Sequence, residues 1–76
     1  MKFKKKPIVI EAEQYVQGSD NVPEGVTIDP QGIPRIDLEG GIGSLIVLNG
    51  DFIVTGLAGE RYPVRPARFW EIYEAV

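Results

Sequence analysis

Residues 45–66 constrain the fold of this chain more than any other stretch, because three short apolar runs alternate there with two groups of turn-forming residues. The first group is Asn49-Gly50-Asp51, and the second is the Gly-Leu-Ala-Gly-Glu sequence at residues 56–60. Asn and Gly tolerate the positive φ angles of a type I′ turn, so Asn-Gly between apolar runs is a strong hairpin signal. The stretch therefore predicts a meander of three antiparallel strands joined by two tight turns.

Residues 8–16 predict the longest strand, with Pro7 at its first position, where a missing N–H group costs least. Strand alternation gives this segment two faces. The predicted core face carries Ile8, Ile10 and Ala12, and the other face carries Val9, Glu11, Glu13 and Tyr15. A helix is the competing interpretation, but the β-branched residues at its start and the preceding proline disfavour it.

The middle of the chain is rich in turn formers from Gln17 to Pro34, with a candidate short strand at residues 26–28. Residues 35–39 alternate as a strand, with Ile36 and Leu38 inward, and Gly40-Gly41 predicts a hairpin turn to the next strand. That strand, residues 44–48, is apolar on both faces. We expect either a central strand covered on both sides or an oligomer interface formed by Leu45, Ile46, Val47 and Leu48.

The last strand of the meander covers residues 60–64, and the alternation places Tyr62 and Val64 inward and Arg61 outward. Pro63 cannot donate a hydrogen bond to a neighbouring strand, which indicates an edge strand or a bulge. Residues 66–75 fit two patterns. Phe69, Ile72 and Tyr73 have helical spacing, but Trp70, Ile72 and Glu74 alternate as in a strand. We favour one helical turn at residues 66–69, beginning at Pro66, and then a strand at 70–75 that pairs with residues 8–15.

These elements predict a single domain over residues 1–76 that is mainly β. We expect a small antiparallel sheet or a partly closed barrel of five to six strands, with one short helical turn near the C-terminus. A domain of this size buries only about 60% of its unfolded surface, so good packing or oligomerisation must supply the remaining stability.

The composition argues against catalysis, since the chain has no histidine and no cysteine. Those residue types provide the commonest metal ligands, general bases and thiol nucleophiles. Glu11 and Glu13 share a strand face, but no nucleophile accompanies them, and residues 56–59 lack the lysine of a phosphate-binding loop. Asp51 is expected to bond to backbone N–H groups of its turn. We therefore predict a protein that is not an enzyme and uses neither metal nor cofactor.

Charge and hydropathy limit the partners. The net charge is −3, which disfavours binding to nucleic acid. No apolar run approaches the roughly 20 residues that span a bilayer. The basic start, Lys2 to Lys6, is followed by Glu11 and Glu13 rather than by the apolar run of a signal peptide. The expected location is the cytoplasm, and the lysines are expected to form a solvated, frayed segment.

Two stretches resemble a family of small phage and prophage proteins. The first stretch, residues 4–15, consists of a basic run, Pro and an apolar strand that ends in Gln14-Tyr15. The second stretch, residues 49–69, contains Gly50-Asp51, a Gly-x-x-Gly-Glu sequence and Tyr62-Pro63 before Phe69, and Tyr73-Glu74 follows it. The resemblance covers the two ends of the chain and not residues 16–44. It implies a phage or prophage origin and a small β-rich domain, but no activity. The chain departs from the family pattern at Arg65, usually Lys, and at Ala67-Arg68, where an acidic residue is usual.

The candidate contact surface lies near the C-terminus and consists of Arg61, Tyr62, Arg65, Arg68 and Trp70. Arginine binds phosphate or carboxylate with two parallel hydrogen bonds and stacks on aromatic rings. The opposing interpretation is that these arginines form ordinary surface ion pairs with Glu60, Glu71 or Glu74. It also places Trp70 and Tyr73 in the core of a small domain with few other large side chains.

The leading functional hypothesis is an accessory protein in a bacterial host cell that binds a host or phage protein without catalysis, and that self-associates. The second is a binder of a small anionic ligand such as a nucleotide signal, held by the three arginines and stacked on Tyr62 or Trp70. The third is a weak nucleic-acid binder that uses the lysine segment and the arginines, with a steep salt dependence.

Overall fold

The structure, a computed structural model that describes residues 1–4 and 8–76, is mainly β, as predicted. Its described residues form two antiparallel sheets of three strands each. Sheet A has the order β1-β5-β6 and sheet B the order β2-β3-β4. The elements are β1 (Glu11–Gln14), β2 (Val26–Ile28), β3 (Pro34–Asp37), a 3₁₀ turn (Glu39–Gly41), β4 (Ser44–Ile46), β5 (Phe52–Thr55), β6 (Arg61–Val64) and α1 (Pro66–Ile72). The described strands do not close into a barrel. Pro7, the predicted first residue of the first strand, lies outside the described residues, and so do Lys5 and Lys6 of the basic segment.

The Asn49-Gly50 turn does not form the predicted hairpin, because the strands before and after it belong to different sheets. The Asp51 N–H donates to the Leu48 carbonyl at 3.0 Å. Positive φ occurs at Gly50 (φ 92°) and not at Asn49, so the turn has the backbone of type II rather than type I′. Backbone hydrogen bonds to Tyr15, the residue after β1, place the chain after this turn in sheet A. The Tyr15 N–H donates to the Asp51 carbonyl and the Gly50 N–H donates to the Tyr15 carbonyl, both at 2.7 Å.

The second predicted turn does join β5 to β6, and its hydrogen bonds explain the Gly-x-x-Gly-Glu sequence. The Gly56 N–H donates to the Glu60 carbonyl at 2.7 Å, and the Gly59 N–H donates to the Gly56 carbonyl at 3.0 Å. Gly59 has a φ of 85°, which glycine adopts without strain. The Glu60 carboxylate accepts the Ala58 N–H at 3.0 Å.

The main core lies between the two sheets and consists of Tyr15, Val26, Ile36, Val47 and Ile53. Tyr15, predicted to point away from the core, is only 6% exposed. Tyr15, Glu11 and Glu13 share one face of the strand, as predicted, but that face points towards sheet B. Sheet B covers that face only near Tyr15, so both glutamates remain exposed. β1 itself is shorter than the predicted strand at residues 8–16.

Strand β4 is an edge strand, not the predicted central strand, because β3 lies in the middle of sheet B. The predicted strand at 26–28 is confirmed. The strand predicted at 35–39 forms as β3 but ends at Asp37, and its hairpin to β4 is confirmed. Val47 is 1% exposed and belongs to the core. The other three residues of the predicted oligomer interface, Leu45, Ile46 and Leu48, remain 40–49% exposed.

The predicted strand at residues 70–75 is wrong, because α1 continues through those positions to Ile72. Pro66 occupies the first turn of the helix, as expected. The helical spacing prevails because it lets one side chain reach sheet A. Phe69 is buried, and its ring stacks on that of Phe52 with centroids 3.9 Å apart. The partner of β1 is therefore β5 rather than the C-terminal segment.

The Asp51 carboxylate is the one buried polar or charged side chain identified among the described residues, at 1% exposed. Its Oδ2 accepts the Leu48 N–H at 2.9 Å and forms an ion pair with Arg65, the residue just before α1. The expected bond from Asp51 to a backbone N–H group is confirmed. Through these contacts Asp51 connects the crossover between the sheets to the start of the helix.

We expect Arg65→Ala to lower the free energy of unfolding by about 2 kcal/mol, because it leaves a buried carboxylate without its counter-charge. The figure is below the range for fully buried pairs because the Arg65 side chain is 54% exposed. Urea denaturation of both single variants and of the Asp51→Ala/Arg65→Ala double variant measures the coupling. The matched control is Arg68→Ala, whose exposed pair with Glu71 should contribute less than about 0.5 kcal/mol. Equal losses for the two arginine variants would contradict this account.

Asp29 organises the turn between β2 and β3. Its carboxylate accepts the N–H groups of Gln31 and Ile33 and the Arg35 Nε–H, each at 2.9 Å. The hydrogen bond from the Arg35 guanidinium, with that from Ile33, lowers the pKa of Asp29 below its usual value of 3.8.

Because the folded-state pKa is lowered, the stability that Asp29 contributes is present above about pH 4. It is lost as the pH falls through the folded-state pKa. We expect Asp29→Asn to flatten the fall in stability below pH 4, as measured by thermal unfolding across an acid series. Asp20→Asn, in the exposed loop before β2, serves as the control for removing a surface carboxylate. An Asp29→Asn profile that still falls as steeply as the parent's would contradict this assignment.

Candidate functional site: an aromatic cleft

The second face of sheet A, which points away from sheet B, carries an aromatic surface. The strand register places Ala12, Val54 and Tyr62 side by side on this face, with Phe52 two residues from Val54. Helix α1 packs here through Phe69, and Val54 is fully buried. The residues predicted to face the core from the first strand, Ile8, Ile10 and Ala12, therefore border this surface and not the main core.

A cleft of about 950 Å³ lies between this face, α1 and the segments at residues 8–10 and 72–76. Five aromatic side chains line it: Phe52, Tyr62, Phe69, Trp70 and Tyr73. Leu57, 81% exposed, contributes from the turn between β5 and β6. Clefts with aromatic walls and few polar groups are typical binding sites.

The aromatic rings hold one another in place. Trp70 meets Phe52 and Phe69 edge to face, at centroid distances of 5.5 and 5.1 Å, and Tyr73 lies 5.0 Å from Phe69. Such pairs contribute about 0.5–1.5 kcal/mol each beyond the area they bury. Trp70 is nevertheless 57% exposed, so the opposing interpretation that placed it in the core is wrong. The indole ring is thus held by its neighbours while one side remains open to solvent.

The charged groups of the cleft lining are acidic: Glu60 and Glu74 are present, and no lysine or arginine is among the described lining residues. Burial raises the pKa of the Tyr62 hydroxyl above 10, and the neighbouring Tyr73 and the charge of Glu60 raise it further. Tyr62 is therefore neutral at physiological pH, and the cleft carries net negative charge. This arrangement favours apolar or basic ligand groups over anions.

The predicted contact surface divides into two parts, because only Tyr62 and Trp70 line the cleft. Arg61, predicted to point outward, is half-buried on the opposite face of sheet A, 3.9 Å from Glu24. It packs over Gly25, where an added Cβ would lie 3.4 Å from its Cδ. Arg65 binds Asp51, and Arg68 lies 3.4 Å from Glu71. Each arginine thus has an acidic neighbour, although only Glu71 was among the expected partners.

Sequence reasoning missed Phe52 and Phe69 as residues of a site. The signal that could have located them is the helical spacing of Phe69 and Tyr73, which places both rings on one side of α1. Glu11 and Glu13 border a shallow depression of about 400 Å³ together with Arg61. In the part of the chain that the structure describes, no group of three or more Asp, Glu, His or Cys side chains is arranged to hold a metal ion.

No protein-family model, curated protein or solved structure is significantly similar to this chain. Among the described residues, no helix is both long and apolar enough to cross a membrane.

We expect the two neighbouring aromatic residues of α1 to differ sharply in their effect on stability. Phe69→Ala should lower the free energy of unfolding by about 3 kcal/mol, since it removes a buried ring and leaves a cavity. Trp70→Ser should lower it by only about 1 kcal/mol, because the largely exposed indole leaves no cavity and its two edge-to-face contacts should each contribute at the low end of their range. Urea denaturation followed by circular dichroism measures both. If Trp70→Ser were as destabilising as Phe69→Ala, the indole would be a core residue and the cleft would not be open.

Proposed function

We propose that this chain is a phage- or prophage-encoded accessory protein that acts in the bacterial cytoplasm by non-catalytic binding. In this proposal a host or phage protein inserts apolar side chains into the aromatic cleft. The phage origin rests on the sequence resemblance described above. The binding mode rests on the cleft.

The observation that carries the proposal is the exposed, pre-positioned Trp70 at the opening of the apolar cleft. Tryptophan and tyrosine are enriched among the residues that dominate the energy of protein–protein interfaces. A ring already fixed by Phe52 and Phe69 loses little conformational entropy when a partner covers it. The exposed Leu57 extends the same apolar surface to the far end of sheet A. Isolated exposed apolar side chains are ordinary, but a contiguous set around a cleft is typical of an interaction site.

The nucleotide hypothesis has less support. It needs arginines and aromatic rings on one surface, and the arginines lie outside the cleft, each beside a carboxylate. An anionic ligand in the cleft would also meet Glu60 and Glu74. Among the described residues, the support for the nucleic-acid hypothesis comes from Lys2 and Lys4, which are both exposed.

The test is quantitative capture from lysates of infected and uninfected host cells by the immobilised chain. We compare the parent with Trp70→Ser and with Val22→Ser, an exposed valine outside the cleft lining. A true partner should be retained by Val22→Ser and depleted about tenfold or more by Trp70→Ser, since interface tryptophans contribute 2 kcal/mol or more. Circular dichroism must show that Trp70→Ser remains folded.

Equal capture by all three proteins would contradict binding through the cleft. A thermal-shift panel of linear and cyclic nucleotides examines the alternative. A rise in melting temperature of several degrees that Arg68→Ala abolishes would favour the anion hypothesis instead.

A further inference from the structure

We propose that the free edge of β4 pairs with the same edge of a second copy of the chain, forming a symmetric dimer with antiparallel β4 strands. The proposal is independent of what binds in the cleft. It rests on the backbone of β4, on the condition of the other three sheet edges and on the side chains that meet at the symmetry axis.

The hydrogen bonds at both ends of β4 show which backbone groups face outward. The Leu38 N–H donates to the Gly43 carbonyl at 2.8 Å, and the Val47 N–H donates to the Pro34 carbonyl at 2.9 Å. Residues that face β3 alternate with residues that face away from it in an antiparallel ladder. Leu45, opposite Ile36, therefore belongs to the bonded set, and the N–H and C=O groups of Ser44 and Ile46 point towards the open edge.

The other edge of sheet B and the two edges of sheet A are protected against self-pairing by known devices. β1 carries Glu11 and Glu13, whose like charges would meet in a symmetric pair. In β6 one of the two outward-facing positions belongs to Pro63, which has no N–H to donate, and the other belongs to the charged Arg61. At β2 one of the two outward-facing N–H groups, that of Val26, is already bonded to the Pro23 carbonyl at 3.1 Å, and Ile28 presents the other.

The β4 edge carries none of these devices. Residues 42–50 contain no charged residue and no proline. Ile46 and Leu48 leave 46% and 49% of their surface exposed beside this edge. A strand that is uncharged along its length suits a second copy of itself, because an isologous contact places each residue against its symmetry mate.

We assign the register that pairs the full length of β4, Ser44–Ile46, with the same three residues of the second copy. If Ser44 exchanges hydrogen bonds with Ile46 of the second copy, Leu45 lies opposite its own symmetry mate in a non-hydrogen-bonded pair. Cα atoms in such a pair are about 4.5 Å apart. Leu45 is on the core face of sheet B, level with Ile36, and is 40% exposed. Its contact with the second Leu45 would extend the thin core of each protomer across the interface. The dimer would carry two aromatic clefts.

The register can be tested with Leu45→Cys, because the chain has no cysteine of its own. Opposed cysteines at this Cα separation fall within the range that a disulfide can bridge. The matched control is Leu57→Cys, 81% exposed in the turn between β5 and β6. We expect Leu45→Cys to cross-link on mild oxidation about a hundredfold faster than Leu57→Cys at micromolar concentration, because the effective concentration within a dimer is on the order of millimolar.

Size-exclusion chromatography with light scattering gives the second readout. The parent protein should have twice the mass of a single chain, which is 8.4 kDa. Ile46→Pro should be a folded monomer, since the N–H it removes points away from β3 and the ladder within the protomer is spared. A monomeric parent, or equal cross-linking rates for the two cysteine variants, would overturn the proposal. A dimer that survives Ile46→Pro, with Leu45→Cys no faster than the control, would place the interface elsewhere and overturn it as well.

Discussion

The buried Asp51 carboxylate is the constraint on which the arrangement of the two sheets depends. It joins three parts of the chain that are distant in sequence. The Asp51 side chain accepts a hydrogen bond from the Leu48 N–H in the crossover turn, and the Asp51 backbone carbonyl accepts one from the Tyr15 N–H at the end of β1. The ion pair between Asp51 and Arg65 fixes the residue that precedes α1. The helix starts at the next residue, so the same contact determines where Phe69 meets sheet A. The aromatic cleft thus depends on the ion pair between Asp51 and Arg65.

Sheet A uses both of its faces, and this explains why the chain has a thin core and a large apolar surface. One face contributes Ile53 to the core against sheet B, and the other supports Phe69 of α1. A seven-residue helix covers only part of a three-stranded sheet, so the remaining apolar side chains border an open cleft. Sheet B likewise leaves apolar surface uncovered at its edge, where β4 is apolar and no further strand of the described residues pairs with it. Apolar surface left open in this way is suited to binding another chain.

The sequence was sufficient to predict the local strands and turns. It was insufficient where the conformation of a segment depends on contacts with residues distant in the chain. Short apolar runs between turn-forming residues located the strands at 26–28 and 52–55, and the Gly-x-x-Gly-Glu sequence located the turn before β6. The Asn49-Gly50 turn was misassigned because its type follows from Tyr15, 34 residues earlier, whose backbone draws the chain into the other sheet. Residues 66–75 fitted helix and strand equally, and the stacking of Phe69 on Phe52 decided between them. The pair of Asp51 and Arg65 has no signature in sequence spacing, so the arginine was predicted as a free ligand contact.

The residues that make the sequence resemble a phage family have structural roles in this fold. Glu60 caps its own turn, Gly59 supplies a positive φ angle, and Pro63 occupies an outward-facing position on an edge strand. A pattern built from such residues describes an architecture and does not specify a partner. The side chains proposed to contact partners are of another kind. Leu57 occupies one of the two unspecified positions of the Gly-x-x-Gly sequence, and β4 lies outside the two stretches that carry the resemblance. We therefore expect specificity for a partner to reside in the exposed apolar residues between the structural ones.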